Sequence, residues 1–164
     1  MSLNVSQLIP TVIRPALAVL GQQYASEAAV ALVVGTGAVE SGYHDLHQIG
    51  GGPAIGFWQM EPDTYHELWR VTIHTRPHLR DALLSIASRG SGADPPSASE
   101  MAWNLRLGAA MCRLRYLWDP HALPAADDVR GLARTWKMAY NTIHGDGTEE
   151  RFMRAWAKHV APWL

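Results

Sequence analysis

The sequence predicts a mainly α-helical single domain of about seven helices with little or no β-structure. Three observations carry that expectation: apolar residues recur at spacings of three and four along most of the chain, helix-capping residues or prolines precede most of these runs, and strand-type alternation is scarce. The 164 residues suffice for one domain with a proper core and are too few for two comfortable ones.

Val5, Leu8, Ile9, Val12, Ile13, Ala16, Leu17 and Leu20 form an amphipathic stripe, so the first segment reads as a packing helix, interrupted near Pro10 and Pro15. Ser26 offers an N-cap for the next helix and Gly42 a stop. The run from Ser26 to Val39 is almost wholly apolar or small, as befits a central helix packed on all sides. Residues 43–56 are expected to form a loop. Pro62 favours a short helix over about Asp63 to Trp69, and Pro77 another with Leu79, Ala82, Leu83 and Ile86 on one face.

Arg89 to Pro96, rich in Gly, Ser and Pro, is the clearest loop. Ser97 and Glu100 have capping-box spacing ahead of Met101, Leu105, Gly108, Ala109, Cys112 and Tyr116. Asp127 or Asp128 caps a helix whose inner face carries Val129, Leu132, Ala133, Trp136 and Tyr140. Thr148 starts the last one, with Phe152, Ala155, Trp156 and Val160 inward. Trp103, Trp136 and Trp156 fall within these patterns and are expected in the core.

Composition narrows the classes. A net charge of −1 supplies no basic field for nucleic acid, and no apolar run approaches the roughly 18 residues of a membrane span. The single cysteine, Cys112, excludes an internal disulfide and reads as a buried structural thiol. Met1 to Leu20 lacks the features of a secretory signal, so synthesis in the cytoplasm is expected. There is no repeat, P-loop, dinucleotide fingerprint or Gly-x-Ser-x-Gly elbow. Eight histidines raise a metal hypothesis, most sharply for Glu40, His44 and His47, but Gly42 argues that the helix has ended before the histidines; no metal is expected.

The chemistry concentrates between Glu40 and Pro62. Glu40 emerges from the apolar helix on its last turn, where desolvation raises a carboxyl from about 4.3 towards neutrality, as a general acid requires. Gly50, Gly51, Gly52 and Gly56 then supply a loop that a ligand can approach closely. Phe57 and Trp58 offer stacking surfaces, Gln59 an amide with donor and acceptor, and Glu61 a second carboxylate before Pro62. Such a set suits a sugar. Each residue alone also has a plain structural account, as helix-end carboxylate, surface turn or core aromatic.

Taken together, Glu40-Ser41, the glycine-rich loop, Gly56-Phe57-Trp58-Gln59 and Ala139-Tyr140-Asn141 resemble the lysozyme-like superfamily, specifically the soluble lytic transglycosylases and goose-type lysozymes. The resemblance covers roughly residues 26 to 142. It implies that Glu40 is the catalytic acid, followed by Ser41; that Gly56, Phe57, Trp58 and Gln59 line a glycan cleft; and that the Tyr140 hydroxyl is directed at Glu40 and Asn141 at substrate. Three features depart from the family pattern: Thr142-Ile143-His144-Gly145 stands where Ala-Gly usually follows Tyr-Asn, Phe57-Trp58 replaces Leu-Met, and Glu61 falls where goose-type lysozymes carry an acidic residue.

The activity implied is cleavage of the β-1,4 bond between N-acetylmuramic acid and N-acetylglucosamine in peptidoglycan, by lytic transglycosylation with Glu40 as general acid and base. The alternatives are hydrolysis with Glu61 as second carboxylate, and a non-catalytic glycan-binding or virion module. None needs a metal or cofactor. A monomer is expected, with glycan strands as partner, and a phage or prophage setting, as an endolysin released by a holin or a virion component, accords with the missing signal.

Overall fold

The apolar run after Ser26 forms the helix around which the other helices pack. In the computed structural model, which describes residues 3–88, 92–141 and 145–163, this helix α2 spans Glu27–Ser41. The Ser26 hydroxyl accepts the Ala29 N–H, and Gly42, in the left-handed conformation at φ 59°, turns the chain out of the helix. Nearly every residue from Ala29 to Val39 is buried. At about 1.5–3 kcal/mol per fully buried Val or Leu, five such side chains (Val30, Leu32, Val33, Val34 and Val39) make this helix a principal source of hydrophobic stabilisation. Thr36, its one buried polar residue, donates to the Leu32 carbonyl and meets the Tyr116 hydroxyl at 2.6 Å.

Helix α1 comprises Val5–Leu8, a π-helical turn Ile9–Ile13 and Arg14–Leu20. The expected interruption at Pro10 and Pro15 does not occur. The wider turn, in which the Arg14 N–H reaches the Ile9 carbonyl, and the placement of each proline at the start of a segment accommodate the missing donors. Helix α3, Pro62–Glu67, likewise continues through a π-helical stretch, Leu68–Ile73, and so runs past the expected end at Trp69. Helix α4 is Pro77–Ile86, α5 Leu105–Arg115 and α7 Glu149–His159; α6 is Val129–Trp136 prolonged by Lys137–Asn141.

Seven helical bodies thus make up the described chain, with no strand among the described residues. Residues 43–56 form a loop, pinned by isolated bridges between His47 and Ile55 and between Ile55 and Met60. Asp128 and Thr148 cap α6 and α7 through the N–H groups of Gly131 and Arg151.

The expected capping box is not formed. Ser97 caps only a short 3-10 turn, Ala98–Ala102, while the Glu100 carboxylate accepts from the Ser88 N–H and the Asn104 amide, and Asn104 caps α5. Because α5 begins after Asn104, Trp103 lies outside its periodicity and is 62% exposed, whereas Trp136 and Trp156 are buried as expected. The loop expected from Arg89 to Pro96 falls partly on residues 89–91, outside the described residues.

Two apolar clusters result. One joins α2 to α1, α6 and α7 through Leu17, Leu32, Leu132, Trp136 and Phe152; the other gathers Leu20, Leu68, Ile73, Leu79 and Leu83 around α3 and α4. Helix α5 divides its faces between them, with Ala109 and Cys112 towards the first and Leu107, Met111 and Leu114 towards the second. Tyr140 packs against both. The C-terminal end of α2 therefore emerges where the two clusters meet.

Candidate active site

A cleft of about 780 Å³ opens at that junction, and Glu40, Gln59, Glu61, Tyr140, Asn141 and Arg151 all line it. The half-buried Glu40 carboxyl stands at the end of the apolar helix, and loss of hydration there pushes its pKa from 4.5 up to about 7. Two groups act in the opposite sense. The indole N–H of Trp136 donates to Glu40 Oε1 at 2.8 Å, and the Arg151 guanidinium attracts the carboxylate. A carboxyl so held changes its proton near neutrality, as a group that must first give and then take a proton requires.

The following loop is shaped by glycine and by Ser41. Gly56 has φ +74°, and a Cβ on it would collide with the Met101 backbone carbonyl, so no other residue fits that turn without displacement. Its N–H donates to Leu46 O at 2.8 Å, and its carbonyl receives both the Gln59 N–H and the Gln59 side-chain amide. Gln59 adopts φ +46°, an uncommon conformation for a residue with a side chain, held by these bonds. Beyond it, Glu61 is extended at φ −74°, ψ 144° ahead of Pro62, and exposed on the cleft wall.

Several residues implied by the resemblance stand elsewhere. Phe57 and Trp58 do not present their rings to the cleft: they are 7% and 1% exposed, pack edge-on against Tyr43, and the Trp58 indole donates to Val33 O at 2.9 Å. The tight turn from Gly56 to Gln59 directs both aromatics inward, where burial exceeds anything a solvated stacking face would gain. Ser41 braces the loop and is not among the residues that line the cleft. Its hydroxyl donates to the Phe57 carbonyl at 2.8 Å and accepts the Tyr43 N–H, tying the end of α2 to the loop.

Tyr140 lines the cleft, and its hydroxyl donates to the Trp58 carbonyl at 2.7 Å, not to Glu40. Burial holds it well above its ordinary pKa, so it stays a neutral donor. Asn141 also lines the cleft, with its side-chain oxygen engaged by the Lys137 ammonium at 3.0 Å and the Gly147 N–H at 3.2 Å. The departure at Thr142-Ile143-His144 lies outside the described residues.

Gly50 and Gly51, both at positive φ, form a tip with open space around them, closed at its base by the Gln48 N–H on Ala54 O; Gln48 and Ile49 reach the cleft. His44 lies beyond the helix end and pairs with Asp45, and among the described residues no group of three or more candidate ligands is placed to hold a metal.

Compared with profiles of known protein families, with curated proteins and with solved structures, the chain matches none of them.

Sequence reasoning assigned Trp136 to the core alone and left Arg151 and Arg115 out of the site. For Trp136 a signal existed: it precedes Tyr140 by four positions on one helix, so the two share a face. Arg151 falls three residues after the Thr148 cap, on the first turn of α7, and nothing local ties that turn to Glu40. Cys112 is buried as expected, with its thiol pushed well above its ordinary pKa.

Proposed function

We propose that this protein cleaves the β-1,4 glycosidic bond between N-acetylmuramic acid and N-acetylglucosamine in peptidoglycan, acting as a lytic transglycosylase. The reading rests on Glu40, a carboxyl poised near neutrality and opening onto a polar cleft whose volume lies within the roughly 300–1,000 Å³ usual for ligand sites. The order of the motifs quoted above supplies the substrate class.

In this mechanism the protonated Glu40 donates to the glycosidic oxygen as the bond from C1 of the muramic residue breaks. The carboxylate left behind then takes the proton of the muramic 6-hydroxyl, whose oxygen closes on C1 to give a 1,6-anhydro end. No water is consumed and Glu40 recovers its proton. Delivery of a nucleophile already attached to the substrate gains from effective concentration, so one carboxylate suffices. Arg151 stabilises the carboxylate between the two steps, and the Trp136 N–H fixes the oxygen it touches.

A second reading, hydrolysis, is favoured by one observation: Glu61 is extended, exposed and on the same cleft, a position from which a carboxylate can hold a water. Digestion of purified peptidoglycan followed by mass analysis of the fragments separates the readings. Anhydromuramic ends support transglycosylation, reducing ends support hydrolysis, and absence of any turnover by the folded protein supports a binding module and overturns both. In the cell we propose that such an enzyme reaches the wall by holin-type release or within a virion.

A further inference from the structure

A second pocket, of about 570 Å³, shares Arg115 with the Glu40 cleft. Its walls are Trp118, the segment from Asp119 to Ala122 with Pro124, and a face of α6, where Gly131, Arg134, Thr135 and Met138 recur at helical spacing. Arg115 lines both cavities, so the two are neighbours across a single side chain.

The charges in this pocket are unequal in their commitments. Asp119 accepts from the His121 N–H at 3.0 Å and meets the His121 ring at 2.6 Å, and Asp128 is occupied in capping α6. Both carboxylates thus serve local structure. Arg115 and Arg134, in contrast, have no carboxylate within ion-pair distance among the described residues. The half-buried Arg115 guanidinium lies over the Trp118 ring at 4.5 Å, and Trp118 is itself fixed by its indole N–H on Thr72 Oγ1 at 2.7 Å. A guanidinium seated over an anchored indole is held in position without an ion-pair partner of its own among the described residues, and its fork of N–H donors matches a carboxylate two-pronged. The remaining wall is apolar, with Pro120, Pro124 and the 56% exposed Met138.

We propose that this pocket binds a short carboxylate-bearing peptide, with Arg115 and Arg134 taking the carboxylates and the proline and methionine wall taking the aliphatic side chains. Its identity as the peptide arm carried by the muramic residue rests on the glycan reading of the Glu40 cleft, because Arg115 joins the two sites and the strand entering one brings its arm beside the other.

The test is titration of the free pentapeptide L-Ala-γ-D-Glu-L-Lys-D-Ala-D-Ala into the 164-residue protein, followed by calorimetry and by amide chemical shifts. Binding that moves the amides of Trp118, Arg134 and Met138 and weakens about tenfold or more in Arg134→Glu is the expected result. Arg134 is exposed, so the variant folds, and its unchanged dispersed spectrum elsewhere verifies that. Met138→Asp, which adds a negative charge to the same wall, should weaken binding as well. No binding, equal binding by wild type and Arg134→Glu, or shifts confined to the Glu40 cleft overturns the proposal. Glycan turnover measured on the same preparation keeps the two readings apart: turnover without peptide binding leaves the role of Glu40 standing and removes this one, while peptide binding without turnover does the reverse.

Discussion

The Trp136 indole N–H and the Glu40 carboxyl, 96 positions apart in sequence, meet at 2.8 Å in the cleft. That bond favours the ionised carboxylate, opposing the desolvation that raises the pKa to about 7. Trp136→Phe keeps an aromatic ring in the core and removes only the donor and part of the ring area. The carboxyl should then titrate higher, by about one unit if a charge-assisted bond of about 1.5 kcal/mol is lost. Since the first step uses the protonated form, the alkaline limb of kcat/KM should move up in pH. An alkaline limb left in place would show that the indole does not act on Glu40.

Glu40 also predicts a stability effect with a definite sign. Its pKa in the folded protein, about 7, exceeds the ordinary 4.5, so the folded state holds the proton more tightly than the unfolded one. Its contribution is fully present below about pH 4.5, is lost as pH rises towards 7, and stays lost above. The difference is on the order of 3 kcal/mol. Glu40→Gln, which cannot ionise, should abolish turnover yet resist urea better than wild type at pH 8, with little difference at pH 4. Equal midpoints at both pH values would mean that the carboxyl is not desolvated.

Gly56 and Gly50 permit a paired test of the loop. Both have positive φ, but a Cβ at Gly56 meets the Met101 carbonyl whereas one at Gly50 meets open space. Gly50→Ala should cost about 1 kcal/mol through backbone strain alone, and Gly56→Ala distinctly more, with loss of turnover as Gln59 and the Trp58 carbonyl shift. Chemical denaturation measures both, and equal costs would remove the argument that close approach shapes this turn.

Three helix starts were legible because their causes are local: Ser26, Asp128 and Thr148 each satisfy an N–H within three residues, whereas the start of α5 was displaced to Asn104 because Glu100 is engaged by Ser88. Glu40 was legible for a similar reason, since an unbroken apolar run before a carboxylate fixes its surroundings whatever packs there. The directions of Phe57 and Trp58 were not. Their carbonyls are held by Ser41 and Tyr140, the second 82 positions away, and that tethering decides which way the rings face. Tyr140 shows the same limit, because proximity to Glu40 followed from motif order while the acceptor of its proton depended on where the Trp58 carbonyl came to rest. Continuity through Pro10 was hidden because a π-helical turn leaves no simple periodic mark.

Glu61 decides between an internal hydroxyl and water as nucleophile. It shares the cleft with Glu40, its backbone is extended as Pro62 dictates, and it is exposed at the N-terminal end of α3. The last fact gives it a second occupation: a negative charge there favours the helix dipole by about 0.3–1 kcal/mol. An inverting hydrolase needs this carboxylate as base, with a water between it and the substrate, whereas attack by the muramic hydroxyl needs no partner for Glu40. Glu61→Gln should therefore lower stability by less than about 1 kcal/mol and leave turnover within a few-fold of wild type, with fragments still ending in anhydromuramic acid. Fragments with reducing ends, together with a loss of about a hundredfold or more in Glu61→Gln, would instead make Glu61 the base that activates water.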